Sequence, residues 1–197
     1  MTGTEKLESL MKSNKGVITA KLADAHGIHR EYLSEFTRQG KLERIAHGIY
    51  ITPDVWEDRM LIHQLRKEKM VYSHETALFL HDLTDRDPVV YCVTVPTGYN
   101  TSKLNGDGLI VYTIKKELFE LGICIRQTVF GNDARTYDME RTICDIIRDR
   151  NNQDAAVISD ALKKYARRSD KDLNRLMKYA ELLRVEKVLR NYLEVLL

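Results

Sequence analysis

No apolar run in the 197 residues approaches the ~20 that a helix needs to cross a bilayer. The N-terminus also lacks the apolar stretch of a secretion signal. Cysteine is scarce: the three residues Cys92, Cys124 and Cys144 are far apart, odd in number and without a C-x-x-C pair. Neither a zinc finger nor a disulfide framework is suggested. Together these absences predict a soluble cytoplasmic protein with reduced, mostly buried thiols. The signatures of common catalysts are missing too. There is no G-x-x-x-x-G-K-[ST] loop to cradle nucleotide phosphates, no H-E-x-x-H zinc helix (His74-Glu75 lacks the second histidine) and no G-x-S-x-G elbow. No lysine stands two residues after an Asp or Glu, so the [DE]-x-K strand of restriction-type nucleases is absent. Gly-Ser occurs nowhere, which disfavours a nucleotidyltransferase of the Gly-Ser…Asp-x-Asp kind, although Asp85-Arg86-Asp87 fits half of that pattern. No internal repeat, low-complexity tract or long linker is visible.

What is present is the composition of a globular protein, 43% apolar and 30% charged, long enough for one large domain or two small ones. The net charge of +2 says less than its distribution. Residues 1–51 carry +2, residues 52–149 carry −4 and residues 150–197 carry +4. Nucleic acid would favour the two basic ends.

The densest signal lies in residues 16–51, GVITAKLADAHGIHREYLSEFTRQGKLERIAHGIYI. The pattern predicts helix, turn, helix and a two-stranded hairpin, the order of a winged helix-turn-helix. Thr19 is placed to cap a short helix whose apolar side is Leu22, Ala23 and Ala25. His26-Gly27 breaks it, and a second helix runs from about His29 to Gln39, ended by Gly40. Ile28, Leu33 and Phe36 should pack inward against Leu22 and a first helix around Leu7, Leu10 and Met11. Arg30, Ser34, Arg38 and then Lys41 recur every three or four residues, so they share the outward face that a recognition helix sets into the major groove. Leu42 with Ile45, and Ile49 with Ile51, predict two strands about a glycine turn. Arg44 and His47 fall on or near this wing, within reach of phosphate or minor groove. Thr19, Lys21, His29 and Thr37 complete the candidate DNA-binding set. Glu31 and Glu35 beside that face repel phosphate, and winged helices also serve as protein-docking modules.

Pro53 marks a predicted boundary, giving domains 1–52 and 53–197. Beyond it the pattern predicts a helix over 55–69 with Met60, Leu61 and Leu65 inward, and a short strand at 70–73. A helix over 74–83 follows, with Ala77, Leu78, Leu80 and His81 near one face. Strands are expected at 89–95, at 109–114 after an Asn105-Gly106-Asp107-Gly108 turn, and at 123–129. Residues 131–134 read as a loop. Asp138 is a plausible N-cap for a helix running to about Arg150 with Ile143, Cys144 and Ile147 buried. The remainder reads as helical: 154–167, then a helix opened by the S-x-x-[DE] box of Ser169 and Asp172 with Leu173, Leu176, Met177 and Ala180 on its apolar face. A last helix covers 185–197 with Val188, Leu189, Tyr192, Leu193 and Leu196.

Three smaller clusters stand out. His74 and His81, seven apart, share a helix face and could in principle ligate metal, but a helix-terminal and a part-buried histidine explain them as well. Asp138, Glu140, Arg141 and Asp145 in TYDMERTICD could do acid/base work; the favoured reading is a cap with an internal ion pair. Lys163, Lys164, Arg167, Arg168, Lys171, Arg175 and Lys178 form a second basic surface. Part of it answers helix dipoles, and the rest could bind phosphate or an acidic partner.

The segment 16–51, together with MVYSHETALFLHDLTDR, YDMERTICDIIR and YAELLRVEKVLRNYLEVLL, resembles the AbiEi antitoxins in order along nearly the whole chain. The resemblance implies an antitoxin of a bacterial type IV toxin-antitoxin system linked to abortive phage infection. It implies an α+β protein: a winged helix-turn-helix, then a mixed α/β antitoxin domain with a helical C-terminal end. It implies autorepression through double-stranded promoter DNA at inverted repeats, with two copies expected on the operator. It also implies a functional partner, an AbiEii-like toxin resembling nucleotidyltransferases, counteracted without a stable complex. By motif position it carries the DNA role to Arg30, Ser34, Thr37, Arg38, Lys41, Arg44 and His47. No catalytic residue, cofactor, metal or membrane is then needed. The residues leave two alternatives open: a metal-dependent nuclease or nucleotidyltransferase-like enzyme with a DNA-binding domain, and a ligand-sensing regulator without an antitoxin role.

Overall fold

The computed structural model describes residues 2–196, with the backbone alone for Lys103, Asn105, Val195 and Leu196. The chain divides into two compact units, residues 1–68 and 69–197.

In the first unit, α1 (Gly3–Ser13) opens with a reciprocal cap. The Thr2 hydroxyl accepts from the Glu5 N–H, and the Glu5 carboxylate accepts from the Thr2 N–H. There follow β1 (Val17–Thr19), α2 (Ala20–Ala25), α3 (Arg30–Arg38), β2 (Glu43–Ala46) and β3 (Ile49–Ile51). Thr19 Oγ1 accepts from the Leu22 N–H at 3.0 Å and fixes the start of α2. Gly27, at φ +67°, takes the left-handed conformation of the reversal into α3. Leu7, Leu10, Ile18, Ala23, Ile28, Leu33, Phe36 and Leu42 form one core. The three strands make an antiparallel sheet in the order β1-β3-β2.

This is the predicted order of elements, with corrections. Strand β1 was not expected; it is three residues long and exists because β3 supplies its partners Ile51, Tyr50 and Ile49. Ile45 is not a paired strand residue, because the register of β2 against β3 shifts between Arg44 and Ala46. Ala25 is exposed. The helix expected at 55–69 is the shorter α4 (Arg59–Arg66), set by Asp58, whose Oδ1 accepts from Met60 and Leu61 N–H. That cap fixes a phase in which Met60 and Ile62 are buried while Leu65 is 37% exposed, so Leu65 does not face inward.

The second unit contains β4 (Val71–Tyr72), α5 (His74–Leu80), β5 (Cys92–Pro96), α6 (Ser102–Gly106), β6 (Ile110–Ile114), α7 (Lys116–Phe119), β7 (Ile123–Gln127), β8 (Asp133–Tyr137), α8 (Met139–Arg148), α9 (Ala155–Arg167), α10 (Leu173–Leu182) and α11 (Glu186–Leu196). Its sheet has the order β6-β5-β4-β8-β7. β5–β6 and β4–β8 are parallel, and β4–β5 and β7–β8 antiparallel. α8 lies at the centre of the core: every residue from Met139 to Ile147 is buried. Ile143, Ile146 and Ile147 pack with Val157, Leu162, Leu176 and Leu189 of the following helices.

Here too the prediction needs correcting. Val89 and Val90 precede the strand and are exposed. A helical turn, α6, replaces the turn expected at Asn105-Gly106, and the reversal falls at Gly108 (φ +74°). β8 occupies residues read as a loop and a helix start. Ser169 does not cap α10; Asp172 does, accepting from the Arg175 N–H at 2.9 Å. The reason is a tertiary bond: buried Glu140 accepts from the Asp172 N–H and so sets where the helix begins. Leu173 is 40% exposed rather than part of the apolar face. The expected last helix reached Leu197, which lies outside the described residues, as does the Leu196 side chain. Cys92 and Cys144 are buried, Cys124 is half-buried, and none forms a disulfide. Burial pushes the Cys92 and Cys124 thiols up to about 11. No helix among the described residues is long and apolar enough to cross a membrane.

Candidate nucleic-acid interface

α3 turns Leu33 and Phe36 into the core, which leaves Arg30, Ser34 and Arg38 exposed on the other side. Each of these polar groups has a local partner. Arg30 pairs with Asp24 at 3.2 Å, and Arg38 pairs with Glu35. Lys41 reaches Glu8 at 3.4 Å and lies 4.8 Å from the Phe36 ring centre. The Ser34 and Thr37 hydroxyls donate to the carbonyls of Arg30 and Leu33 one turn back. On the wing, Arg44 Nη2 lies 3.0 Å from His47 Nδ1, and its Nε donates to the Ala46 carbonyl. His29 is the N-cap residue of α3, with no side-chain capping bond. Arg30 and Arg38 are 76% and 77% exposed. Ion pairs so exposed are worth only ~0–1 kcal/mol, so either arginine can exchange its carboxylate for a phosphate at little cost.

A groove of about 400 Å³ gathers Thr19, Lys21, Arg30, Arg44 and His47 along one side of this unit. Ser34, Thr37, Arg38, Lys41 and His29 lie outside it. Gln64, Leu65, Arg66 and Glu68 complete the groove, and Lys21 is paired with Glu68. Arg66 was missed by sequence reading. It sits in the last turn of α4, beyond the boundary expected at Pro53, and its only sequence signal was a basic residue at a helix C-terminus.

Three of the seven residues of the second basic surface are held by nearby carboxylates. Lys164 pairs with Asp85 at 2.7 Å, and Arg168 with Asp170 at 2.7 Å. Lys171 donates to the Arg168 carbonyl. Arg175 lies 3.4 Å from Asp172 and 3.8 Å from Glu140. Lys163, Arg167 and Lys178 are exposed.

Most of the residues weighed for chemistry make bonds within the second unit. Asp138 caps α8 by accepting from the Arg141 N–H at 2.8 Å. Fully buried Arg141 donates from Nε to both Asp145 oxygens at 3.0 and 3.1 Å, and from Nη1 to the carbonyls of Leu118 and Leu121. His81 donates from Nε2 to the Tyr137 carbonyl at 2.7 Å and accepts from Arg126 Nε at Nδ1, so both ring nitrogens are engaged. His74 stacks on Tyr112 instead. No group of three or more His, Cys, Asp or Glu among the described residues is arranged to hold a metal ion.

None of the curated proteins matches the chain. Among solved structures, it is similar to the RV2827C protein from Mycobacterium tuberculosis, with a TM-score of 0.61 and 14% identity, over 92% of this chain and 72% of that one. A likeness at that identity speaks for the fold. The helices, turn and hairpin of the first unit carry the more specific match: residues 5–53 fit the model of the AbiEi antitoxin family of transcriptional regulators.

Proposed function

We propose that the protein is a non-catalytic transcriptional regulator and antitoxin of the abortive-infection type, and that residues 1–52 act as a winged helix-turn-helix on double-stranded promoter DNA. The observation that carries this reading is the exposed, arginine-bearing side of α3 beside a basic wing, inside the segment that fits the AbiEi family model. Repression by this route is physical exclusion of polymerase and needs no catalytic residue. An inverted repeat would take two copies, one per half-site, because operator symmetry mirrors protein symmetry. In this reading Arg30, Arg38, Lys41 and Arg44 anchor phosphates or read bases, with Thr19, Lys21, His29, Ser34, Thr37 and His47 at the margins. Residues 53–197 oppose an AbiEii-like toxin without a stable complex.

The test is fluorescence anisotropy of the full chain on its own promoter fragment and on a shuffled fragment of equal length. The promoter should bind roughly a thousandfold more tightly at physiological salt. Equal affinity for the two fragments would defeat the reading. Expression of the adjacent gene, alone and together with this chain, tests the antitoxin role. A neighbour harmless on its own would remove that role and leave the regulator.

A further inference from the structure

The second unit has a half-open cavity of about 210 Å³ that the DNA reading does not use. It is lined by the side of α8 that presents Arg141, Asp145, Arg148 and Asp149, and by Tyr112 of β6 and His74. Its acceptors are already taken. Asp145 receives Arg141, and Asp149 receives the Tyr112 hydroxyl at 3.0 Å, Gln153 Nε2 at 2.9 Å and Asn152 Nδ2 at 2.7 Å.

Its donors are not. Thr94 Oγ1 donates to Ser73 Oγ at 2.8 Å, and Ser73 Oγ lies 3.0 Å from His74 Nδ1. Ser73 is fully buried, and its hydroxyl has Thr94 Oγ1 on one side and His74 Nδ1 on the other. With Thr94 donating to Ser73, the Ser73 hydroxyl donates in turn to Nδ1, the arrangement that carries the ring hydrogen of His74 on Nε2. That N–H has no hydrogen-bond partner among the described residues, although His74 is only 6% exposed. The ring is held against Tyr112 with centroids 3.5 Å apart and 13° between planes. Arg141 spends Nε and Nη1 on protein acceptors and lays its guanidinium over the Tyr137 ring, 4.1 Å from its centre, so it contributes positive charge to the lining. Arg148 is exposed and makes no hydrogen bond or ion pair among them.

A ligand for this cavity must bring several acceptors close together. The volume is below the ~300 Å³ where pockets for drug-sized molecules begin, so the bound group is compact. Guanidinium nitrogens and an imidazole N–H are the donors that phosphate oxygens take. We infer that the cavity binds a phosphate group, held by His74 Nε2 and Arg148 beside the Arg141 guanidinium. The group arrives either as free phosphate or as the phosphate end of a nucleotide. Burial keeps His74 neutral near pH 7, since it lowers the pKa against the pull of Asp145 and Asp149. The site then works through aimed donors and the single unpaired arginine. It does not rest on the DNA-binding reading.

The experiment is isothermal titration calorimetry of the full chain at constant ionic strength in a phosphate-free buffer, with inorganic phosphate, adenosine monophosphate and adenosine triphosphate as separate titrants. Saturable binding at one site per chain is expected for at least one of them. Tighter binding of phosphate supports the free ion, and tighter binding of a nucleotide supports its phosphate end. Arg148→Ala removes an exposed side chain, so its ligand-free unfolding temperature should not change, and binding should weaken roughly tenfold to a hundredfold. His74→Phe keeps the stack, removes the N–H and should weaken binding likewise; if that variant does not fold, Arg148→Ala decides alone. Arg38→Ala, on α3, should leave phosphate binding intact, which separates this site from the DNA interface. Absence of saturable binding for all three titrants, or binding that Arg148→Ala leaves unchanged, would overturn the inference and make the cavity a pocket for water.

Discussion

His81 shows how burial sets the charge of a single residue. It is 3% exposed, and desolvation lowers its pKa to about 4; Arg126 lowers it further, while the Tyr137 carbonyl works in the other direction. In the unfolded chain a histidine titrates near 6.5. Below that pH the unfolded chain gains a proton that the folded protein refuses until about pH 4. Stability therefore falls as pH drops from about 6.5 to about 4, by on the order of 3 kcal/mol in total, and levels off below. Asp138, whose pKa burial raises, bends the profile the opposite way in the carboxylate range. His81→Gln isolates the histidine, since the amide can still donate to Tyr137 and accept from Arg126. Urea unfolding at pH 7, 6, 5 and 4.5 should show a steep loss in the parent and a shallower one in the variant; parallel profiles would remove His81 as the cause.

At the scale of elements, helix starts are decided by which residue holds the first free N–H groups. Asp172, not Ser169, does this for α10. Asp172→Ala should cost about 1 kcal/mol, and Ser169→Ala should stay within about 0.5 kcal/mol, in denaturant unfolding. Equal costs would return the cap to Ser169. The same comparison shows what could be read from the chain. The 3.6-residue periodicity, the Thr19 and Asp138 caps and the breaks at Gly27 and Gly40 are local, and α2, α3 and α8 were legible from them. β8 was not, because DARTY is polar and short. It is a strand because it lies between β4 and β7, where Thr136 donates its hydroxyl to the Tyr72 carbonyl 64 residues away. β1 is likewise made by β3. The candidate interface was legible in its arginines and not in their partners. Asp24, Glu35 and Glu8 engage Arg30, Arg38 and Lys41 at one turn or across elements, and Arg66 joins the groove from beyond a proline that looked like a boundary.

For the molecule as a whole, the net charge of +2 is too small to draw it to nucleic acid by bulk attraction. Binding to DNA has to come from a few cations placed together, and the salt dependence of affinity counts them. Each phosphate neutralised contributes ~0.9 to the slope of log K against log salt, because a condensed counterion is released. Arg30, Arg38 and Arg44 each carry one positive charge on the proposed face, and their present partners are exposed carboxylates or a wing histidine that release them cheaply. Replacing all three by alanine should flatten the slope by roughly three and weaken binding on every sequence. Among them, an arginine that reads a base should also relax preference at one operator position, while one that holds phosphate should not. Promoter titrations from 50 to 200 mM salt, the range over which such contacts are resolved, check both effects on the same protein. An unchanged slope in the triple variant would move the DNA contacts off α3 and its wing, and Lys163, Arg167 and Lys178 would then be the next cations to replace.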